Sequence, residues 1–233
     1  TSRYPKIRKQ TVMSMSLAQQ LAAESIAAVA KGRNLQDVLA AIRTAHPELT
    51  AQELGALQDI AYGCQRYLGS LKYMLAQMLK KPIGNPQLES LLLAALYQLN
   101  HTRNAPHAVV NEAVENIAKI GRRQYRSFAN AILRRFLREK EQLNAQCRRD
   151  DTAKYNFPGW WLDYMRQAYP KHWHNIVTAA NGHPPLTLRI NRRHGNAEGY
   201  LEKLAAEGIA GKALDEYAVI LEEAVPVNRL PGF

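Results

Sequence analysis

Between Gln87 and Leu99 the chain reads QLESLLLAALYQL. Leu91, Leu92, Leu93, Leu96 and Leu99 wrap most of the circumference of a helix at 3.6 residues per turn. A helix that is apolar nearly all round is stable in water only when neighbours cover it on several sides. This segment therefore demands a helical bundle with itself at the centre. Asn85 and Pro86 start it, since proline has no N–H to leave unpaired in a first turn.

The neighbours are legible on both sides. Val12 to Ala30 carries Leu17, Leu21, Ile26 and Val29, and Gly32 ends it. Asn34, with Asp37 three residues on, caps a short helix built on Leu35, Val38, Leu39 and Ile42. Thr50 and Glu53 form a capping-box pattern ahead of Leu54, Leu57, Ile60 and Ala61. Gly63 and Gly69 weaken that helix, so a break is expected near Gly69, followed by a helix from Leu71 to Lys80.

After the central segment, Pro106 to Arg138 reads as two helices with a corner at Gly121. Val109, Ala113, Ile117 and Ile120 line one face of the first. Tyr125, Phe128, Ile132 and Phe136 line one side of the second, and Arg122, Arg123, Arg126, Arg134, Arg135 and Arg138 largely occupy the rest. On the residues alone this is an amphipathic core hairpin with a charged face. Seven or so helices with short connections and no strand signal make residues 1–142 an all-α domain.

Charge divides the chain unevenly. The net formal charge is +11; residues 1–145 hold 20 Lys and Arg against 10 Asp and Glu, and the remainder holds 11 against 10. A basic first half fits a polyanion such as nucleic acid, although a simply basic protein has the same balance. Cys64 and Cys147 make neither a disulfide framework nor a metal site, which fits a reduced, cytoplasmic protein. No apolar run is long enough to span a membrane. The start at Thr1 without Met and the end at LPGF are read as those of a fragment.

Residues 143–156 are polar and charged, with Arg148 and Arg149 beside Asp150 and Asp151, and read as a linker or as the end of the last helix fraying into one. Residues 157–233 read as a small α+β domain. Its expected parts are helices over Pro158–Ala168 and Trp173–Ala180, a strand over Leu186–Asn191, a helix over Gly199–Glu207, and short strands at Ala218–Leu221 and Val225–Val227.

The motifs HAVVNEAVENIAK, Gly121 and FANAILRR resemble the signature of the NusB-like all-helical domain. The ending N-A-I-L-R-R is similar to the form fused to the front of bacterial 16S ribosomal RNA cytosine-5 methyltransferases of the Sun/Fmu family. Ala180-Asn181, Pro184-Pro185, Leu188-Arg189-Ile190-Asn191 and Leu230-Pro231-Gly232-Phe233 extend the resemblance to the last residue. It implies a mainly α chain: a NusB-like bundle, then a small α+β, RNA-recognition-like domain leading to a Rossmann-like catalytic domain that these residues lack. It implies S-adenosylmethionine as cofactor of the full-length parent, with none held in this chain. The implied partners are structured ribosomal RNA and the parent's own C-terminal catalytic domain, with a monomer expected.

The basic arm Arg3, Lys6, Arg8 and Lys9 resembles the arm that NusB-like domains use on RNA, although a disordered lead-in reads the same way. The expected RNA-binding set is this arm with Arg122, Arg123, Arg126, Arg134, Arg135 and Arg138. Arg189 and Asn191 at a strand end fit RNA phosphate or a domain interface. Asn111 and Asn130 are expected to tie helices together. His101 and His107 read as turn or surface residues, and Trp160, Trp161 and Trp173 as core aromatics, with base stacking the alternative.

Cytosine-5 methylation needs a thiolate that attacks carbon 6 of the base, and neither Cys64, in a helix, nor Cys147, in the linker, has that motif context. Gly195 to Gly199 has the wrong spacing for a cofactor loop. Two other functions fit the same features: an antitermination module binding leader RNA and a protein, and an interaction scaffold whose charge is incidental.

Overall fold

The computed structural model describes residues 14–120, 123–182 and 184–232. Eleven α-helices and a three-stranded sheet appear among them, in two compact units, Thr1–His174 and Asn175–Phe233.

The helical unit is built round α5, Pro86–His101, which touches α1 (Ser14–Ala30), α3 (Ala51–Arg66), α4 (Leu68–Met78), α6 (Pro106–Ala118) and α7 (Arg123–Cys147). Every residue from Ser90 to Leu99 is buried. Its start follows from local chemistry. Asn85 Oδ1 accepts from the N–H groups of Gln87 and Leu88 at 2.9 and 3.2 Å, and Pro86 takes the first turn. The other caps are equally local. Asn34 caps α2 (Leu35–Ala45), and Thr50 and Glu53 bond reciprocally at the head of α3, at 2.8 and 3.3 Å.

The break expected near Gly69 falls at Tyr67, and Gly69 has a different use. A Cβ there would lie 2.4 Å from the Thr152 carbonyl oxygen of α8 (Asp151–Tyr155), so glycine lets α8 lie against the head of α4. Gly63 likewise admits the Tyr97 ring between α3 and α5.

Residues 143–156 are mostly helical, the first of them as the end of the last hairpin helix. Helix α7 continues to Cys147, and α8 follows after Asp150, whose carboxylate caps it at Ala153 N–H, 2.8 Å. Leu143, Cys147, Ala153 and Tyr155 are buried. Of the charged cluster between the helices, Asp150 caps α8 and Asp151 pairs with Arg166, while Arg148 and Arg149 are exposed.

The helices are tied by amides other than those expected. Asn116 of α6 donates to Ser16 carbonyl at 2.8 Å and to Gln19 Oε1 at 3.1 Å, and Gln19 Nε2 donates to Gln98 Oε1 of α5 at 2.7 Å. Asn100 and Asn144 exchange hydrogen bonds between α5 and α7. Asn111 is instead exposed, and Asn130 bonds within its own helix. His101 lies flat on Tyr67 with ring centroids 3.8 Å apart.

The second unit holds β1 (Thr187–Arg189), α11 (Ala197–Ala206), β2 (Gly211–Asp215) and β3 (Ala218–Leu221). The sheet order is β1-β3-β2, and both pairs are antiparallel. β1 and β2 are thus parallel on either side of β3, joined through α11 as a split βαβ arrangement. Leu204, Ile209, Val219, Leu221 and Leu230 form its core with Ile190 and Ala197. The strand expected over Val225–Val227 is not formed; Pro226, which has no N–H for a ladder, precedes a 3₁₀ turn at Val227–Arg229. Its place is taken by β2, whose side chains are mostly exposed and show no apolar alternation.

Candidate nucleic-acid interface

Helix α7 carries the cations of the hairpin at helical spacing. Arg126, Asn130, Arg134 and Arg138 follow at intervals of four and share one stripe. Arg126, Arg134 and Arg138 are exposed. Arg126 Nη2 reaches Glu115 Oε1 of α6 at 2.5 Å; both groups are more than half exposed, so the pair stabilises the fold by at most about 1 kcal/mol. Arg134 Nε donates to Asn130 Oδ1 at 3.0 Å, which fixes the side chain along the helix.

Arg135 is different. Its guanidinium is half-buried, bonds Glu139 at 3.0 Å and donates to the Met78 carbonyl at 3.1 Å. It satisfies an end carbonyl of α4 and acts in packing. Arg3, Lys6, Arg8, Lys9 and Arg122 lie outside the described residues, as does the Gly121 corner, and Arg123 is described for its backbone alone.

Beside the stripe is a groove of about 1350 Å³ between the end of α1, the loop before α5 and the head of α7. Lys31, Arg33 and Lys81 line its rim and are exposed, while Ile83, Tyr125 and Phe128 are half-buried within it. Cations and aromatic rings lining one groove are the combination that single-stranded nucleic acid uses, phosphates on the charges and bases on the rings. Sequence reading missed these three cations because they come from two loops distant in sequence, and only the fold brings Lys81 to Lys31.

In the second unit Arg189 is exposed at the end of β1. Asn191 Oδ1 accepts from Arg193 N–H at 3.1 Å, so it shapes the turn after the strand. Arg192 lies over the Tyr217 ring at 4.5 Å. The tryptophans separate. Trp161 stacks on Phe157 at 4.4 Å and Trp173 packs on Tyr155 and Arg166, whereas Trp160 is 71% exposed on α9 (Gly159–Ala168) instead of in the core.

Both cysteines are free and buried. Burial, with Asp59 nearby, pushes the Cys64 thiol far up, and burial pushes Cys147 up to about 11. Among the described residues no group of His, Cys, Asp and Glu is arranged to hold a metal ion, and no helix is long and apolar enough to cross a membrane.

A central-helix bundle with a cationic hairpin, followed in sequence by a split βαβ unit, defines a two-module class of mainly α chains. Residues 12–138, more than half of the chain, match the NusB family, and the chain belongs to that family. Residues 157–228 match the Methyltr_RsmF/B-like, ferredoxin-like domain, a boundary that places α9 with the second module although it packs with the first unit.

The chain is 36% identical over 216 residues to Ribosomal RNA small subunit methyltransferase B of Pectobacterium carotovorum subsp. carotovorum (strain PC1), covering 90% of this chain and 50% of that one. It is 35% identical over 209 residues to the protein of the same name from Escherichia coli (strain K12), covering 88% and 48%. The chain thus spans about half the length of the curated relatives it matches, along their N-terminal part. The crystal structure of PH0851 aligns with a TM-score of 0.58 at 14% identity, covering 91% of this chain and 50% of that one, a likeness of fold.

Proposed function

We propose that this chain is the RNA-binding and substrate-positioning region of an S-adenosylmethionine-dependent 16S ribosomal RNA cytosine-5 methyltransferase. The cofactor and the reactive thiolate belong to a catalytic domain outside these residues, and the region works in the cytoplasm as part of a monomer. The observation that carries the reading is the exposed stripe Arg126, Arg134 and Arg138 on α7, with the groove of Lys31, Arg33 and Lys81 on another side of the head of the same helix. Such cations hold phosphates and orient a structured RNA without reading its sequence. The basic N-terminal arm, Arg122 and Arg123 belong to the proposed RNA-binding set by sequence, and Arg189 supplies a contact from the second unit. The names and half-length coverage of the relatives support the assignment over an antitermination module.

The test is a salt titration of binding to hairpins of small-subunit ribosomal RNA. About five phosphate contacts give a slope near −3.5 and a loss of roughly two decades of affinity between 50 and 200 mM salt. Reversing Arg134 and Arg138 to Glu lowers affinity and flattens the slope by about 1.4 or more. Arg135 is left in place, because it holds the Met78 carbonyl. Unchanged affinity in the reversed protein would leave a scaffold whose charge is incidental.

A further inference from the structure

The head of α7 is a ridge between two grooves. Tyr125 and Phe128 face the cationic groove, and Arg126, Ser127 and Asn130 face a second one, of about 770 Å³, shared with Asn111, Val114 and Glu115 of α6. Across the second groove the hairpin is joined by the exposed Arg126–Glu115 pair, which adds little to its stability. Asn111 is exposed and its carboxamide has no hydrogen-bond partner among the described residues. Asn130 Oδ1 is occupied by Arg134, which leaves its Nδ2 to donate. Val114, 8% exposed, gives the groove an apolar wall between these amides.

We infer that the groove between α6 and α7 is a base-binding pocket for an unpaired adenine of the RNA held along α7, an inference that rests on the RNA-binding reading above. Arg126 and Arg134 are eight residues apart, about 12 Å along the helix. A strand neutralised by both passes the groove mouth with its bases free to turn in. The Asn111 carboxamide presents a donor and an acceptor side by side, which matches N7 and the amino group of adenine. The same edge of guanine offers two acceptors, and the Asn111 oxygen then faces an acceptor without a proton. Glu115 is a second acceptor for the amino group once Arg126 leaves it for a phosphate, a small loss for an exposed pair. Asn130 donates to a remaining ring nitrogen, and Val114 packs against the base.

The test uses the 233-residue chain and fluorescence anisotropy with an RNA hairpin whose uracil loop carries one adenine, against the same hairpin with G, C or U there. The expected result is a preference for adenine on the order of tenfold. Asn111→Ala, an exposed substitution, reduces the preference to within about twofold while salt-dependent binding to all four hairpins remains. Arg138→Ala weakens all four alike and keeps the preference. Salt-dependent binding with no base preference, or a preference that survives in Asn111→Ala, overturns the inference and leaves the RNA-binding reading standing. Absence of binding to any hairpin overturns both.

Discussion

Replacing Gly69 by Ala separates helix propensity from packing by the sign of its effect. In an open helix the change stabilises by up to about 1 kcal/mol. At Gly69 the new methyl would sit 2.4 Å from the Thr152 carbonyl oxygen, 3.0 Å from Asn156 Cα and 3.3 Å from Thr152 carbonyl carbon. All three are backbone atoms, so no side chain can rotate away, and α8 must retreat by roughly an ångström to restore ordinary contact. Overpacking of this kind costs about 1–3 kcal/mol. The retreat also strains the hydrogen bond from Ser70 N–H to Asn156 Oδ1, 2.8 Å, for about 1 kcal/mol more. The net expectation is a destabilisation of roughly 1–3 kcal/mol, or a fall in Tm of about 3–10 °C for a chain of this size.

Gly55 is the matched control: it is exposed within α3, and nothing lies within 4 Å of its added Cβ. Gly55→Ala is therefore expected to stabilise by up to about 1 kcal/mol. Urea unfolding of each variant, followed by far-ultraviolet circular dichroism, gives both signs. A Gly69→Ala protein as stable as the wild type, or more so, would refute the close docking of α8 on α4.

Two further outcomes are expected. The thiols of Cys64 and Cys147 are held protonated by burial, so neither reacts with a disulfide reagent in the native protein at neutral pH, and both react in denaturant; fast native labelling of Cys64 would contradict its placement against Leu93. Burial, with Lys140 nearby, lowers His101 to about 4 from an unfolded value near 6.5. Its neutral form is the folded form, so its contribution is present above the unfolded value and is lost as pH falls from about 6.5 towards 4. Solvent reaches the ring, which limits the effect to about 1 kcal/mol. His101→Phe should flatten the stability profile of the helical unit in that window, and an unchanged slope would exclude the assignment.

What was legible in the chain was local or periodic. Asn34, the Thr50–Glu53 pair and the Asn85–Pro86 start announce helices because a cap satisfies N–H groups two or three residues away. The leucines of α5 announce the centre because their burial has no one-sided solution. Features that need the fold were not legible. Leu143, Cys147, Ala153 and Tyr155 sit among charges that look solvated, and only contact with the rest of the bundle makes them core. Arg135 is indistinguishable in sequence from Arg134, yet one meets the end of α4 and the other faces water. β2 has no alternation to read, because most of its side chains face solvent. The cationic groove joins Lys31 to Lys81 across fifty positions of chain.

The uninterrupted run of α7 has a mechanical consequence. Its 25 residues make a strut about 37 Å long. Arg135 clamps it to the Met78 carbonyl, Lys140 to the Leu99 carbonyl at 2.8 Å, and Asn144 to Asn100. Cations at its head and the dock for α8 beyond its tail are therefore in fixed phase. One residue inserted between Arg126 and Arg135 would advance the helix by 1.5 Å and turn one end against the other by about 100°. The three clamps and the arginine stripe would then compete for a single rotational setting, and one of them would have to let go.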